Sequence, residues 1–99
     1  MPQPCTLIAN AVPNPENMAD MKGYLQQSAP LLDGLGGSPA KRMKVTEVIN
    51  GDTPALVLIM DFPDREALAA VFASDAYKAL IPIRDRGFLR MDIFIGEPM

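Results

Sequence analysis

The sequence predicts an α+β fold of order βαββαβ, the ferredoxin-like arrangement, in which a four-stranded antiparallel sheet carries two helices on one face. Three observations support this. Two short runs, Leu7 to Val12 and Leu56 to Met60, are apolar enough for strands buried on both faces. Two half-apolar stretches, about Lys41 to Ile49 and about Phe88 to Ile95, alternate as strands with one wet face. Helix-period segments opened by capping signals separate the first strand from the second and the third from the fourth, giving two βα units joined through a hairpin.

The first strand, Cys5 to Val12, ends at the Pro13-Asn14-Pro15 breaker cluster. Asn14 is expected as the N-cap of the first helix, with Pro15 at a position where a missing N–H costs nothing and Glu16 favoured by the helix dipole. Met18, Met21, Leu25, Ala29 and Leu32 recur at spacings of three and four, which puts them on one face. Pro30 should kink or restart the helix near Ala29, and Gly34, Gly36 and Gly37 end it.

In the second strand Met43, Val45 and Ile49 fall on one side and Arg42, Lys44, Thr46 and Val48 on the other. Asn50-Gly51-Asp52 signals a turn tolerant of positive φ, and Pro54 can open the third strand, so the two strands should form a hairpin. Ala55 to Met60 is continuously apolar. Phe62-Pro63-Asp64 closes it, with Asp64 placed to cap a helix from Arg65 to about Ala73 whose buried side is Leu68, Val71 and Phe72. Ser74 is a second N-cap, for a helical piece through Tyr77 and Leu80 that Pro82 bends or ends. In the last strand Leu89, Met91, Ile93 and Ile95 share one face and Phe88, Arg90, Asp92 and Phe94 the other.

In this topology the first and third strands are central. They are the two runs apolar on both faces, while Arg42, Lys44, Glu47, Arg90 and Asp92 fall on the edge strands. Two helices cover only one face of such a sheet. The expected cover for the other is the sheet of an identical chain, making the protein a homodimer through its sheet face.

Composition narrows the function classes. Residues 1–99 have the size of one domain, and 48% hydrophobic with 21% charged residues is a globular composition. A net charge of −3, with nine scattered Lys and Arg, argues against nucleic acid. The chain has no histidine, which removes imidazole acid–base catalysis, Ser-His-Asp and Cys-His systems and the commonest metal ligand. Its single cysteine, Cys5, cannot pair within the chain, which fits the cytoplasm. Met1 to Ala11 lacks the pattern of a signal peptide, and no apolar run is long enough for a membrane span.

Phe62-Pro63-Asp64 with Glu66-Ala67, then Phe72, Ser74-Asp75, Tyr77, Leu80, Pro82 and Arg84, resembles the pattern of the domain of unknown function 1330 family, small proteins of the dimeric α/β barrel superfamily. The match extends back through Tyr24, Pro30 and Gly36-Gly37 and forward to Gly96. Many family members carry a His just before the glycine pair, where this chain has Leu35, so no role of that His is shared here. The resemblance implies a ferredoxin-like protomer, a homodimer and a ligand cleft between helices and sheet. It implies no established reaction.

The candidate ligand contacts are Asn10, Tyr24, Phe72, Tyr77 and Arg84. Arg84 sits where the family usually has Arg. It can fix a carboxylate at the cleft mouth or pair with Asp75 or Asp85. Tyr24 and Tyr77 either offer phenols to a ligand or pack their rings at the core margin. Asn10, polar on an apolar strand, either faces the cleft or makes a structural hydrogen bond. Gly34-Leu35-Gly36-Gly37 follows a helix, so it reads as a C-cap rather than a phosphate nest. Glu47, Asp61, Asp64 and Asp92 have no metal-ligand spacing, and neither metal nor cofactor is expected. The seven methionines and Cys5 read as core. Two function classes follow. One is a homodimer binding a small organic molecule, extending to cofactor-free monooxygenase- or isomerase-like chemistry; the other is a non-catalytic structural or interaction module. No residue is assigned a catalytic role.

Overall fold

A computed structural model describes residues 2–52 and 55–99. Strand β1 (Cys5–Pro13) leads into helix α1 (Met18–Ser28) and a 3-10 turn (Ala29–Leu32), then strands β2 (Lys41–Lys44) and β3 (Leu56–Phe62), helices α2 (Arg65–Ala73), α3 (Asp75–Lys78) and α4 (Ile81–Gly87), and strand β4 (Phe88–Gly96). The sheet order is β2-β3-β1-β4, fully antiparallel, with the apolar runs at its centre as expected. The fold is the ferredoxin-like α+β arrangement.

Alternation sorts the sheet into two faces. Cys5, Leu7 and Ala11 of β1 are buried against the helices, in cross-strand rows with Phe62, Met60 and Leu56 of β3. Thr6, Ile8, Asn10 and Val12 point the other way. The centre of that open face is the row Ile59, Ile8 and Phe94. On the helix side one cluster gathers Tyr24, Tyr77, Leu80 and Phe88, and a second surrounds Leu68, which is 0% exposed.

Of three capping expectations two hold and one does not. Asp64 accepts hydrogen bonds from the backbone N–H groups of Glu66 and Ala67, and Ser74 from that of Tyr77, so α2 and α3 start where their caps stand. Asn14 does not cap α1. Its Oδ1 closes a short turn by accepting from Glu16 N, while its backbone N–H and side-chain amide donate to the carbonyls of Gly87 and Arg86. The end of α4 thereby holds Asn14 outside the helix, which begins at Met18 with Asn17 as its cap residue. Pro30 does end the α-helix, opening the 3-10 turn.

Of the stripe expected on α1, Met21 is buried, Leu25, Ala29 and Leu32 face the space between helices and sheet, with Leu25 half-exposed there, and Met18 is exposed; Tyr24, outside that stripe, is buried against Phe88 and Tyr77. β2 is also shorter than expected. It pairs only over Lys41–Lys44, with one further rung from Val45 N to the carbonyl of Ala55, and Ile49 is 96% exposed. An edge strand has a partner on one side only, and this one ends opposite the start of β3. The turn tip is as expected, Gly51 lying at φ 100. Pro54, expected to open β3, lies outside the described residues.

At the start of β4 the face assignment of two residues reverses. Val12 pairs with Arg90 but Pro13 with Phe88, a bulge that skips Leu89. Phe88 therefore turns into the helix-side core and Leu89, 66% exposed, turns out. Pro13 has no N–H to lose at that irregularity.

Candidate functional site

The aromatic residues converge because four local devices aim them. The middle of α1 supplies Tyr24, and the last turn of α2 supplies Phe72. The Ser74 cap restarts the chain as α3, bringing Tyr77 against Phe72 with ring centroids 4.9 Å apart at 74°. The β4 bulge brings Phe88 to 5.6 Å from Tyr24 at 82°. Edge-to-face contacts of this kind set positive ring edges on negative faces.

At the centre lies a polar line. The Tyr24 and Tyr77 hydroxyls are 2.8 Å apart and buried, and Arg84 Nη1 donates to the Tyr77 hydroxyl at 3.2 Å. Pro82 in the first turn of α4 sets the start of the helix that carries Arg84, whose guanidinium also lies 6.0 Å from the Tyr77 ring centroid. Burial, together with the hydrogen bond to Tyr77, pushes the Tyr24 phenol well above its ordinary ionisation range, against the pull of Arg84 and of the Ser28 hydroxyl. Tyr24 is thus a neutral donor and acceptor. The two phenols hold two protons, of which the bond between them uses one. Since Arg84 supplies its own proton, one phenolic proton remains for a third group, the Ser28 hydroxyl beside Tyr24 or a ligand oxygen.

Beside this line opens a cleft of about 740 Å³ between helices and sheet. Tyr24, Phe72, Tyr77 and Phe88 line it together with Leu58 and Ile93, a mostly apolar wall with few polar groups, within the usual size for a small organic ligand. Phe72 and Tyr77 also form one side of a smaller cavity of about 320 Å³, where Arg84 lies. Of the five candidates, the structure brings Tyr24, Phe72 and Tyr77 to the large cleft. Arg84 stands behind Tyr77, its Nε 3.3 Å from Asp85 and its Nη1 on the phenol. It does not line the mouth of the large cleft, and its acidic partner is Asp85.

Asn10 is placed elsewhere altogether. Its neighbours Ala9 and Ala11 line the cleft, so strand alternation turns Asn10 to the open sheet face, in a row with Val57 and Asp92. Of the two roles open to Asn10, that parity speaks against the one facing the cleft. The buried Cys5 thiol is raised above its ordinary value by burial, the state of a packing residue rather than a nucleophile. Among the described residues no group of acids and cysteine is arranged to hold a metal, and no helix is long and apolar enough to cross a membrane.

Sequence reasoning missed two residues of the cleft rim, Arg42 and Lys44. Their alternation was read as the wet side of β2, but the register places them opposite Leu58 and Leu56 on the helix-facing side. That register against β3 is decided across the sheet, so nothing within β2 itself signals it.

A sheet of this order with its helices on one face, and a cleft between the two layers, defines a ferredoxin-like α+β protomer. The chain belongs to the family described as Domain of unknown function (DUF1330), which matches residues 7–97. A protein of unknown function from Rhodopseudomonas palustris has a similar structure at 14% identity, with TM-score 0.79 over 100% of this chain and 85% of that one. An ethyl tert-butyl ether d (ethd) family protein from Bacillus halodurans is 23% identical, with TM-score 0.62 over 98% and 100% of the two chains. SnoaB from Streptomyces nogalater, described as a cofactor-independent oxygenase, is 10% identical, with TM-score 0.68 over 97% and 93%. At these identities the likeness is one of fold. No curated protein matches the chain.

Proposed function

We propose that the chain acts as one ferredoxin-like domain that pairs with a second copy through its open sheet face and binds a small organic molecule in the cleft between helices and sheet. The observation that carries the binding reading is the cleft of about 740 Å³, walled by aromatic and aliphatic side chains and bordered by the hydrogen-bonded Tyr24 and Tyr77 phenols. A purely structural protomer gains nothing from leaving this volume unfilled, since close packing is the usual state of a core. The pairing is supported by Ile8, Ile59 and the half-exposed Phe94 at the middle of a face that no helix covers. The buried Cys5 thiol suits a reducing compartment, the cytoplasm.

Denaturing extraction of purified protein followed by mass spectrometry tests the binding reading. A stoichiometric small molecule, lost in a Phe72→Trp variant that fills the cleft, is the expected result. Recovery of no molecule, with no uptake of a neutral fluorescent aromatic probe, refutes it. Sedimentation tests the pairing: a dimer at micromolar protomer concentration, converted to monomer by Phe94→Asp, is expected, and a wild-type monomer refutes it.

A second reading, cofactor-free oxygenase- or isomerase-like chemistry, draws on the fold shared with SnoaB and on the Arg84–Tyr77–Tyr24 hydrogen-bonded line, which can steady a developing negative charge on a ligand oxygen. Once a ligand is in hand, oxygen uptake or conversion that falls in Tyr24→Phe and Tyr77→Phe supports it. Binding without turnover leaves the protein a binding module.

A further inference from the structure

Arg42 and Lys44 stand at the rim of the large cleft, and neither has an ion-pair partner among the described residues. The whole chain carries a net charge of −3, yet the charged residues lining this cleft are these two cations and Asp33. The sheet connects them to the aromatic end. One cross-strand row runs Arg42, Leu58, Ala9, Ile93 and the next runs Lys44, Leu56, Ala11, Met91. With strands about 4.8 Å apart, β1 lies about 10 Å from the cationic edge, and Ala11 there belongs to the cluster of Tyr24 and Phe88. The cleft lining thus carries two cations against one carboxylate, with both cations on the edge strand, an apolar floor about two strands wide beside them and the phenols beyond it.

We propose that the cleft selects an amphipathic organic carboxylate, with its head group against Arg42 and Lys44 and its apolar body over Ala9, Ala11 and Leu58. The proposal rests on the reading of the cleft as a ligand site and adds the ligand's class and polarity. It moves the anion contact from Arg84, which is committed to Tyr77 and Asp85, to the edge strand. A competing role for basic residues here is to protect an exposed sheet edge from pairing with other chains. Lys41 serves that role equally but faces the other side, in the row of Ile59 and Ile8, and so provides the control.

The test compares two fluorescent probes with one apolar body, pyrenebutyrate and pyrenebutanol. The acid is expected to bind about fivefold more tightly, as two partly exposed charge contacts allow, and to lose that preference at high salt. Arg42→Gln/Lys44→Gln is expected to bind both probes equally, at the affinity wild type has for the alcohol, and Lys41→Gln to keep the preference. The single variants Arg42→Gln and Lys44→Gln, each losing about half of it, serve if the double variant does not fold. Equal binding of the two probes by wild type overturns the proposal while leaving the cleft a ligand site. A preference that survives in the double variant assigns the anion contact elsewhere and also overturns it. Binding of neither probe removes the cleft reading itself.

Discussion

Replacing Tyr77 with Phe deletes one oxygen from a line of three polar groups, and the structure fixes how unequal the effect should be along that line. The Tyr77 hydroxyl contacts Tyr24 at 2.8 Å and Arg84 at 3.2 Å, and its residue is 4% exposed. Losing the buried tyrosine–tyrosine bond costs about 1 kcal/mol, and leaving the Tyr24 oxygen buried without that partner adds about 1 kcal/mol. The lost Arg84 contact adds only a few tenths, since that side chain is 24% exposed and keeps Asp85. The total is about 2 kcal/mol. Tyr24→Phe should cost about 1 kcal/mol, because Tyr77 retains its bond from Arg84. The double variant should lose only about 1 kcal/mol, because no Tyr24 oxygen is then left without its partner; the singles sum to about 3 kcal/mol, a coupling of about 2 kcal/mol. Urea unfolding measures these values as midpoint shifts at unchanged slope, with all variants at one protomer concentration so that self-association contributes equally. Equal costs for the two single variants, or strict additivity, would refute the hydrogen-bonded line as drawn.

Three further outcomes follow from burial and geometry. Leu68→Ala, at the 0% exposed centre of the second cluster, should lose about 3 kcal/mol in the same urea assay, and a loss below 1 kcal/mol would mean that α2 is not seated on the sheet as described. Gly87→Ala should cost about 3 kcal/mol because its methyl group would meet backbone atoms of Met21 at 2.5 and 2.7 Å, which no rotamer change relieves; a neutral effect would show that α1 and α4 do not approach so closely. Tyr24 has a folded-state value raised above the ordinary 10.0, so its contribution to stability is complete below pH 10 and is lost as pH rises beyond it. An ultraviolet titration should find one phenol still protonated well above pH 10, and this late titration should disappear in Tyr24→Phe.

Much of the fold was legible because local and long-range signals agree. The apolar runs of β1 and β3 have no polar face to offer solvent, and Asp64 and Ser74 cap their own helices. What could not be read depended on contacts between distant segments. Asn14 has the chemistry of a cap, but the carbonyls that occupy it belong to residues 86 and 87. Met18 and Leu25 fit a helical stripe as well as Tyr24 does, and packing on Phe88 decides among them. For the site, the aromatic candidates Tyr24, Phe72 and Tyr77 were recoverable because their helices bury one side. Asn10 stayed open between a cleft role and a structural one because only the cross-strand register fixes its parity, and the rim cations were hidden because a charged residue looks the same facing solvent or a cleft mouth.

The bulge beside Pro13 makes Leu89 a spacer. In a strand, adding or removing one residue exchanges the two faces for everything beyond it. Here the exchange is confined to Phe88 and Leu89 because α4 fixes the chain immediately upstream. Within the protomer, position 89 should therefore accept many side chains while its deletion should not be accepted, since the shortened strand would swing the Phe88 ring through the sheet and empty the contact with Tyr24. The geometry constrains the number of residues here rather than their identity, so a comparison of naturally varying sequences should show a freely changing letter in a column without gaps.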